Sequence, residues 1–93
     1  MFFIPRVNVI ESDAGFSVEV LGRTELRYVE GDRVLIIDSE MLAGPSGLAV
    51  YSDSIEHWSA PSASESIDAT TKARIIENIK AAFKFRGLDI QVF

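Results

Sequence analysis

Apolar residues spaced two apart recur through residues 6–51 and then give way to a spacing of three and four. This switch constrains the chain more than any other feature. Period two puts successive side chains on opposite faces of an extended strand, so each such run reads as a strand with one covered face. Val7 and Val9 share a face over Arg6–Ile10, and Phe16, Val18 and Val20 share one in the next run. Ser12-Asp13-Ala14-Gly15 between them supplies turn chemistry, as do Gly22-Arg23-Thr24 and Glu30-Gly31-Asp32 further on. Leu26 and Tyr28 mark the third strand. Val34-Leu35-Ile36-Ile37 is apolar on both faces, which predicts a central strand covered on part of each side. A turn at Gly44-Pro45-Ser46-Gly47 then leads into a fifth strand over Leu48–Tyr51.

The period changes after a connector of small residues, 58–66. Ile75, Ile76, Ile79, Ala82 and Phe83 fall on one side of a helical wheel, with Arg74, Glu77, Asn78, Ala81 and Lys84 on the other. That is an amphipathic helix running to about Arg86. Ser66 and Asp68 are both candidate N-caps, and Gly87 stands where a left-handed C′ residue belongs, with Leu88 after it to contact the helix. Leu88, Ile90 and Val92 alternate with Asp89 and Gln91 in a last strand, which the helix returns to the sheet, an interior strand being one candidate neighbour. The expected fold is α+β: an antiparallel sheet of about six strands, in the order five strands, helix, strand, with the helix across one face. Ninety-three residues suffice for one such domain, spanning 1–93, and are too few for two.

The chemistry available is thin. His57 is the single histidine and there is no cysteine, so a zinc site of three or four good ligands is out of reach, as is a disulfide framework. His57 beside Asp53 and Glu56 lacks an activated nucleophile or an orienting shell, and no serine sits in a Gly-x-Ser-x-Gly elbow. Gly44-Pro45-Ser46-Gly47 lacks the Lys-Ser/Thr ending of a phosphate loop and no helix follows it. No catalytic residue, metal or cofactor is expected. No apolar run exceeds four residues, and the start has no basic stretch ahead of an apolar one, so neither a membrane span nor a signal peptide is read and the cytoplasm is the expected compartment.

Charge is more informative. The chain carries −5 net, and residues 1–60 hold ten acids against four bases. Such a surface repels phosphate, which disfavours nucleic acid and anionic membranes and favours a basic protein. Asp13, Glu30, Asp38, Glu40, Asp53 and Glu56 are the candidate contacts, with His57 alongside. Trp58 is read either as a lid over one end of the core or as an exposed anchor, since aromatic residues dominate binding hot spots.

Ser39-Glu40-Met41-Leu42-Ala43-Gly44, the stretch Tyr51-Ser52-Asp53-Ser54-Ile55-Glu56-His57-Trp58-Ser59-Ala60-Pro61, and the close Arg74-Ile75-Ile76-Glu77-Asn78-Ile79 with Phe85-Arg86-Gly87-Leu88-Asp89-Ile90 together resemble a family of small bacterial immunity proteins, immunity protein 74. The likeness covers residues 39–93, and the N-terminal strands share only the pattern. The family usually has Gly where this chain has Ser39. The resemblance implies a non-enzymatic inhibitor that binds the C-terminal toxin domain of a polymorphic or contact-dependent growth-inhibition system in the cytoplasm. A nuclease-type toxin would suit the acidic surface. Two other readings fit the residues: a protein-binding or dimerisation module using an exposed sheet edge, as monomer or homodimer, and a single-stranded nucleic-acid-binding domain stacking bases on a β-sheet.

Overall fold

A computed structural model describes residues 1–42, 47–59 and 65–93. Among these, seven strands pair in chain order: β1 (Phe2–Arg6), β2 (Val9–Ser12), β3 (Phe16–Val20), β4 (Glu25–Glu30), β5 (Arg33–Met41), β6 (Leu48–Val50) and β7 (Ile90–Val92). A 3-10 turn, Ser52–Ser54, follows β6, and the helix α1 spans Ala69–Phe85. The predicted hairpins are present. Gly15 and Gly31 take φ of 100° and 63°, the left-handed region that a side chain would strain. Closing β4 onto β5 at Glu30 and Arg33 aligns six successive pairs down to Glu25 and Asp38.

The sheet departs from expectation in two places. Arg6–Ile10 is not one strand: a two-residue turn at Val7-Asn8 breaks it, Val7 is exposed, and Phe2–Arg6 forms an additional strand ahead of it. The strands therefore number seven rather than six. The last strand pairs with β6 in parallel, so the sheet is mixed rather than wholly antiparallel. It stands at the edge of the sheet, with β6 as its neighbour. A helix lies between β6 and β7 in the chain, and crossing back over one face delivers the final strand in the same direction as the one it left. The turn expected at Gly44-Pro45-Ser46-Gly47 lies, except for Gly47, outside the described residues, as does the middle of the 58–66 connector.

The helix behaves as its wheel predicts. Asp68, rather than Ser66, is the N-cap, its carboxylate accepting from the Thr71 N–H at 2.7 Å. At the other end the Gly87 N–H donates to Lys84 C=O and the Leu88 N–H to Phe83 C=O, at 2.9 Å each, with Gly87 at φ 80°. These two bonds satisfy carbonyls the helix would otherwise leave open. Ile75, Ile79, Ala82 and Phe83 are buried, and Ile76 packs at the margin. They cover one face of the sheet, formed by Ile10, Phe16, Val18, Leu26, Tyr28, Leu35, Ile37, Leu48 and Val50. The other face carries Glu11, Glu19, Glu25, Arg27, Asp38 and Glu40, by the strict alternation of β2 to β5.

Candidate functional site

The acids divide into those that the fold neutralises and those that it leaves open. Glu30 belongs to the first group. Its position at the end of β4 has the inward parity of Leu26 and Tyr28, which brings it beneath the first turns of α1. There it accepts from the Tyr28 hydroxyl at 2.7 Å and from both the Nε and Nη2 of Arg74. Asn78 donates to the Tyr28 hydroxyl at 2.9 Å. Burial pushes the Tyr28 phenol well up. Burial also works to raise the Glu30 carboxyl, but the hydrogen bonds from Tyr28 and Arg74 outweigh it and hold that carboxyl below its ordinary value. The group ties helix to sheet.

Asp13 likewise meets a cation, the amino group of Met1 at 2.8 Å. Glu19 lies 3.3 Å from Arg27, and Glu65 grips Arg33 through two bonds of 2.7 and 3.2 Å. The Arg33 guanidinium in turn stands 6.0 Å from the ring of Trp58. Trp58 is 6% exposed and stacks on Tyr28, 6.5 Å between centroids. It packs as a lid over the core, one of the two expectations, and little of its ring is exposed. Of the eight residues singled out in the sequence, Asp13, Glu30 and Trp58 are thus engaged within the molecule.

Glu25, Asp38, Glu40 and Asp53 come from β4, β5 and the 3-10 turn that follows β6. Ser39 N–H donates to Thr24 C=O at 2.9 Å, which makes Ser39–Thr24 a bonded pair of the ladder and Glu25–Asp38 the neighbouring non-bonded pair, the closer kind for side chains. Two carboxylates therefore face each other across adjacent strands. Glu40 follows on the same outer face two residues on. Asp53 is brought up by a local device. The Asp38 N–H donates to the Ser54 hydroxyl at 2.9 Å, and that hydroxyl donates to Tyr51 C=O at 2.7 Å. Ser54 thus stands between two backbone groups that would otherwise bond directly, and it fixes the 3-10 turn holding Asp53 against β5. Glu56 and His57 continue from that turn, both exposed, with His57 bridged to Ser66.

Among the described residues, Glu25, Asp38, Glu40, Asp53 and Glu56 have no cation within salt-bridge distance, nor do Glu11, Asp32, Asp68 and Asp89 elsewhere in the fold, in contrast to Asp13, Glu19, Glu30, Glu65 and Glu77. No three of the chain's described His, Asp and Glu side chains stand together as metal ligands do. The arrangement suits docking of a positively charged surface rather than chelation or acid–base chemistry. Glu25 was not among the residues picked from the sequence. Its signal was there: a turn at Gly31-Asp32 pairs residues whose numbers sum to 63, which sets 25 against 38.

The model of one protein family, immunity protein 74, matches residues 17–92. The chain belongs to that family. It is a family of toxin inhibitors and not of enzymes, in keeping with a site that offers charge and no reactive group. No curated protein and no solved structure matches the chain. The matched residues of this immunity protein take in β3 from Ser17 onward, β4 to β7, α1 and the whole acidic end, and leave out β1 and β2. No helix is long and apolar enough to cross a membrane.

Proposed function

We propose that this immunity protein binds and neutralises the C-terminal toxin domain of a polymorphic or contact-dependent growth-inhibition system in the bacterial cytoplasm, and that the toxin is of the nuclease type. The observation that carries the reading is the open acidic end. Glu25 and Asp38 face each other, Glu40 lies on the same face, and Asp53, Glu56 and His57 belong to the segment that the Ser54 hydroxyl ties to β5. A fold gains nothing from like charges placed directly opposite. A basic cleft shaped for a phosphate backbone is the complementary partner, and the same charges draw the two proteins together before contact.

The test is charge reversal, Glu40→Lys with Asp53→Lys, against the toxin domain encoded beside this gene. Association measured by stopped flow at low salt slows at least tenfold, and its dependence on salt flattens. Unchanged affinity with unchanged salt dependence overturns the acidic docking surface. A tight complex with a toxin that does not cleave nucleic acid overturns the nuclease assignment alone.

A further inference from the structure

Four neighbouring strands place a row of side chains across the outer face of the sheet. Ser39 and Val50 are paired and turned to the core, at 3% and 0% exposed, so the next pair along, Asp38 and Tyr51, faces outward. The Tyr51 N–H donates to Asp38 C=O at 2.9 Å, and the Ser54 hydroxyl relays the return bond. Glu25 stands on the far side of Asp38. Phe93 stands on the far side of Tyr51: its N–H donates to Val50 C=O at 2.9 Å, and the two rings lie 6.0 Å apart between centroids. The row therefore reads carboxylate, carboxylate, ring, ring. Both rings are open to solvent, Tyr51 at 38% and Phe93 at 62%.

No cation of the described residues stands over either ring, and residues 43–46 and 60–64 contain no lysine or arginine. Arg27, on the same face of β4, is engaged by Glu19 at 3.3 Å, and Arg23 lies beside Glu40, two residues along β5 from Asp38. The molecule shows the same combination filled at its other end. There the Glu65 carboxylate accepts from Arg33 at 2.7 and 3.2 Å, and the guanidinium stands 6.0 Å from the Trp58 ring. A guanidinium is planar and weakly hydrated, so it forks onto a carboxylate and lies on an aromatic face at once; an ammonium does the first and gains less from the second. We infer that Tyr51, Phe93 and Asp38 seat one arginine side chain of the partner, with Glu25 adding a second negative charge. Opposite residues of a bonded pair stand ~5.5 Å apart, and a cation is held within ~6 Å of a ring centroid, so one guanidinium meets both the Asp38 carboxylate and the Tyr51 ring. That the arginine belongs to the toxin domain rests on the reading above. The open carboxylates draw the partner in, and the seat holds it after contact.

Two measurements test this. In nuclear magnetic resonance titrations of the unaltered chain with N-acetyl-argininamide and, separately, N-acetyl-lysinamide, the ring protons of Tyr51 and Phe93 shift with the first and clearly less with the second at equal concentration. Against the toxin domain encoded beside this gene, Tyr51→Leu keeps the association rate, because no charge changes, and quickens dissociation about tenfold, while Tyr51→Phe keeps the parent rates. Equal shifts with the two amides, or none at these rings, overturn the inference, as does unchanged dissociation in Tyr51→Leu. A toxin domain that fails to bind the unaltered chain overturns the toxin reading, and the titration then decides the seat alone.

Discussion

Replacing Glu25 by Gln should make the protein more stable and a poorer inhibitor. Opposite residues of a non-bonded antiparallel pair bring their Cβ atoms within ~5 Å. Taking that as the separation of the Glu25 and Asp38 charges, Coulomb repulsion is ~0.8 kcal/mol in water. Screening with a Debye length of ~10 Å at 0.1 M salt leaves ~0.5 kcal/mol, and ~3 Å at 1 M leaves ~0.2 kcal/mol. For a domain of this size, ~0.5 kcal/mol raises the melting temperature by ~2–4 °C. Thermal unfolding followed by circular dichroism should therefore show Glu25→Gln melting higher at 0.1 M salt, with most of the gain gone at 1 M. Asp38→Asn should do the same, and the double variant should gain less than the two single gains added together, because either change alone removes the repulsion. Association with the toxin should slow in both single variants. A fall in melting temperature, or a gain that high salt leaves intact, would refute the reasoning that the two carboxylates repel across the strands.

Two further outcomes follow from the buried polar groups. The Glu30 carboxyl is held below its ordinary value in the folded state, so the stability it contributes is present above the unfolded value of ~4.3 and is lost as pH falls through the depressed folded one. Urea unfolding at stepped pH should show the parent losing stability over that acid range and Glu30→Gln losing less. The Ser39 hydroxyl is buried, with no hydrogen-bond partner among the described residues. An unpartnered buried hydroxyl costs ~1–3 kcal/mol, so Ser39→Ala should leave urea stability unchanged or raise it by ~1 kcal/mol, and a clear loss would reveal a bond to that oxygen.

Much of the fold was legible because it is local. Alternation marked β3 and β4, the run Val34–Ile37, apolar on both faces, marked β5, the glycines that need positive φ marked their turns, and the wheel with Asp68 and Gly87 marked the helix and both its ends. Phe2–Ile4 escaped because an unbroken apolar run ending in proline has no alternation to read, and Val7 was read as part of a strand because nothing local separates a two-residue turn from a strand there. The acidic end was half legible. Hairpin arithmetic places Glu25 opposite Asp38, but the Ser54 hydroxyl that holds Asp53 against β5 is a contact between segments 16 residues apart.

By itself the sequence determined the kinds of element, their order, the acidic balance, and the want of any reactive constellation, since each is a property of neighbouring residues or of composition. Only the tertiary structure decided which acids are spent. Arg74 lies 44 residues from the Glu30 it neutralises, and Arg33 lies 32 residues from Glu65. The parallel pairing of β7 with β6 was decided the same way, because a strand's neighbour is set by where the helix packs and not by the strand's own pattern. Charge and periodicity act along the chain, whereas pairing and neutralisation are settled by distances in space that a linear pattern does not contain.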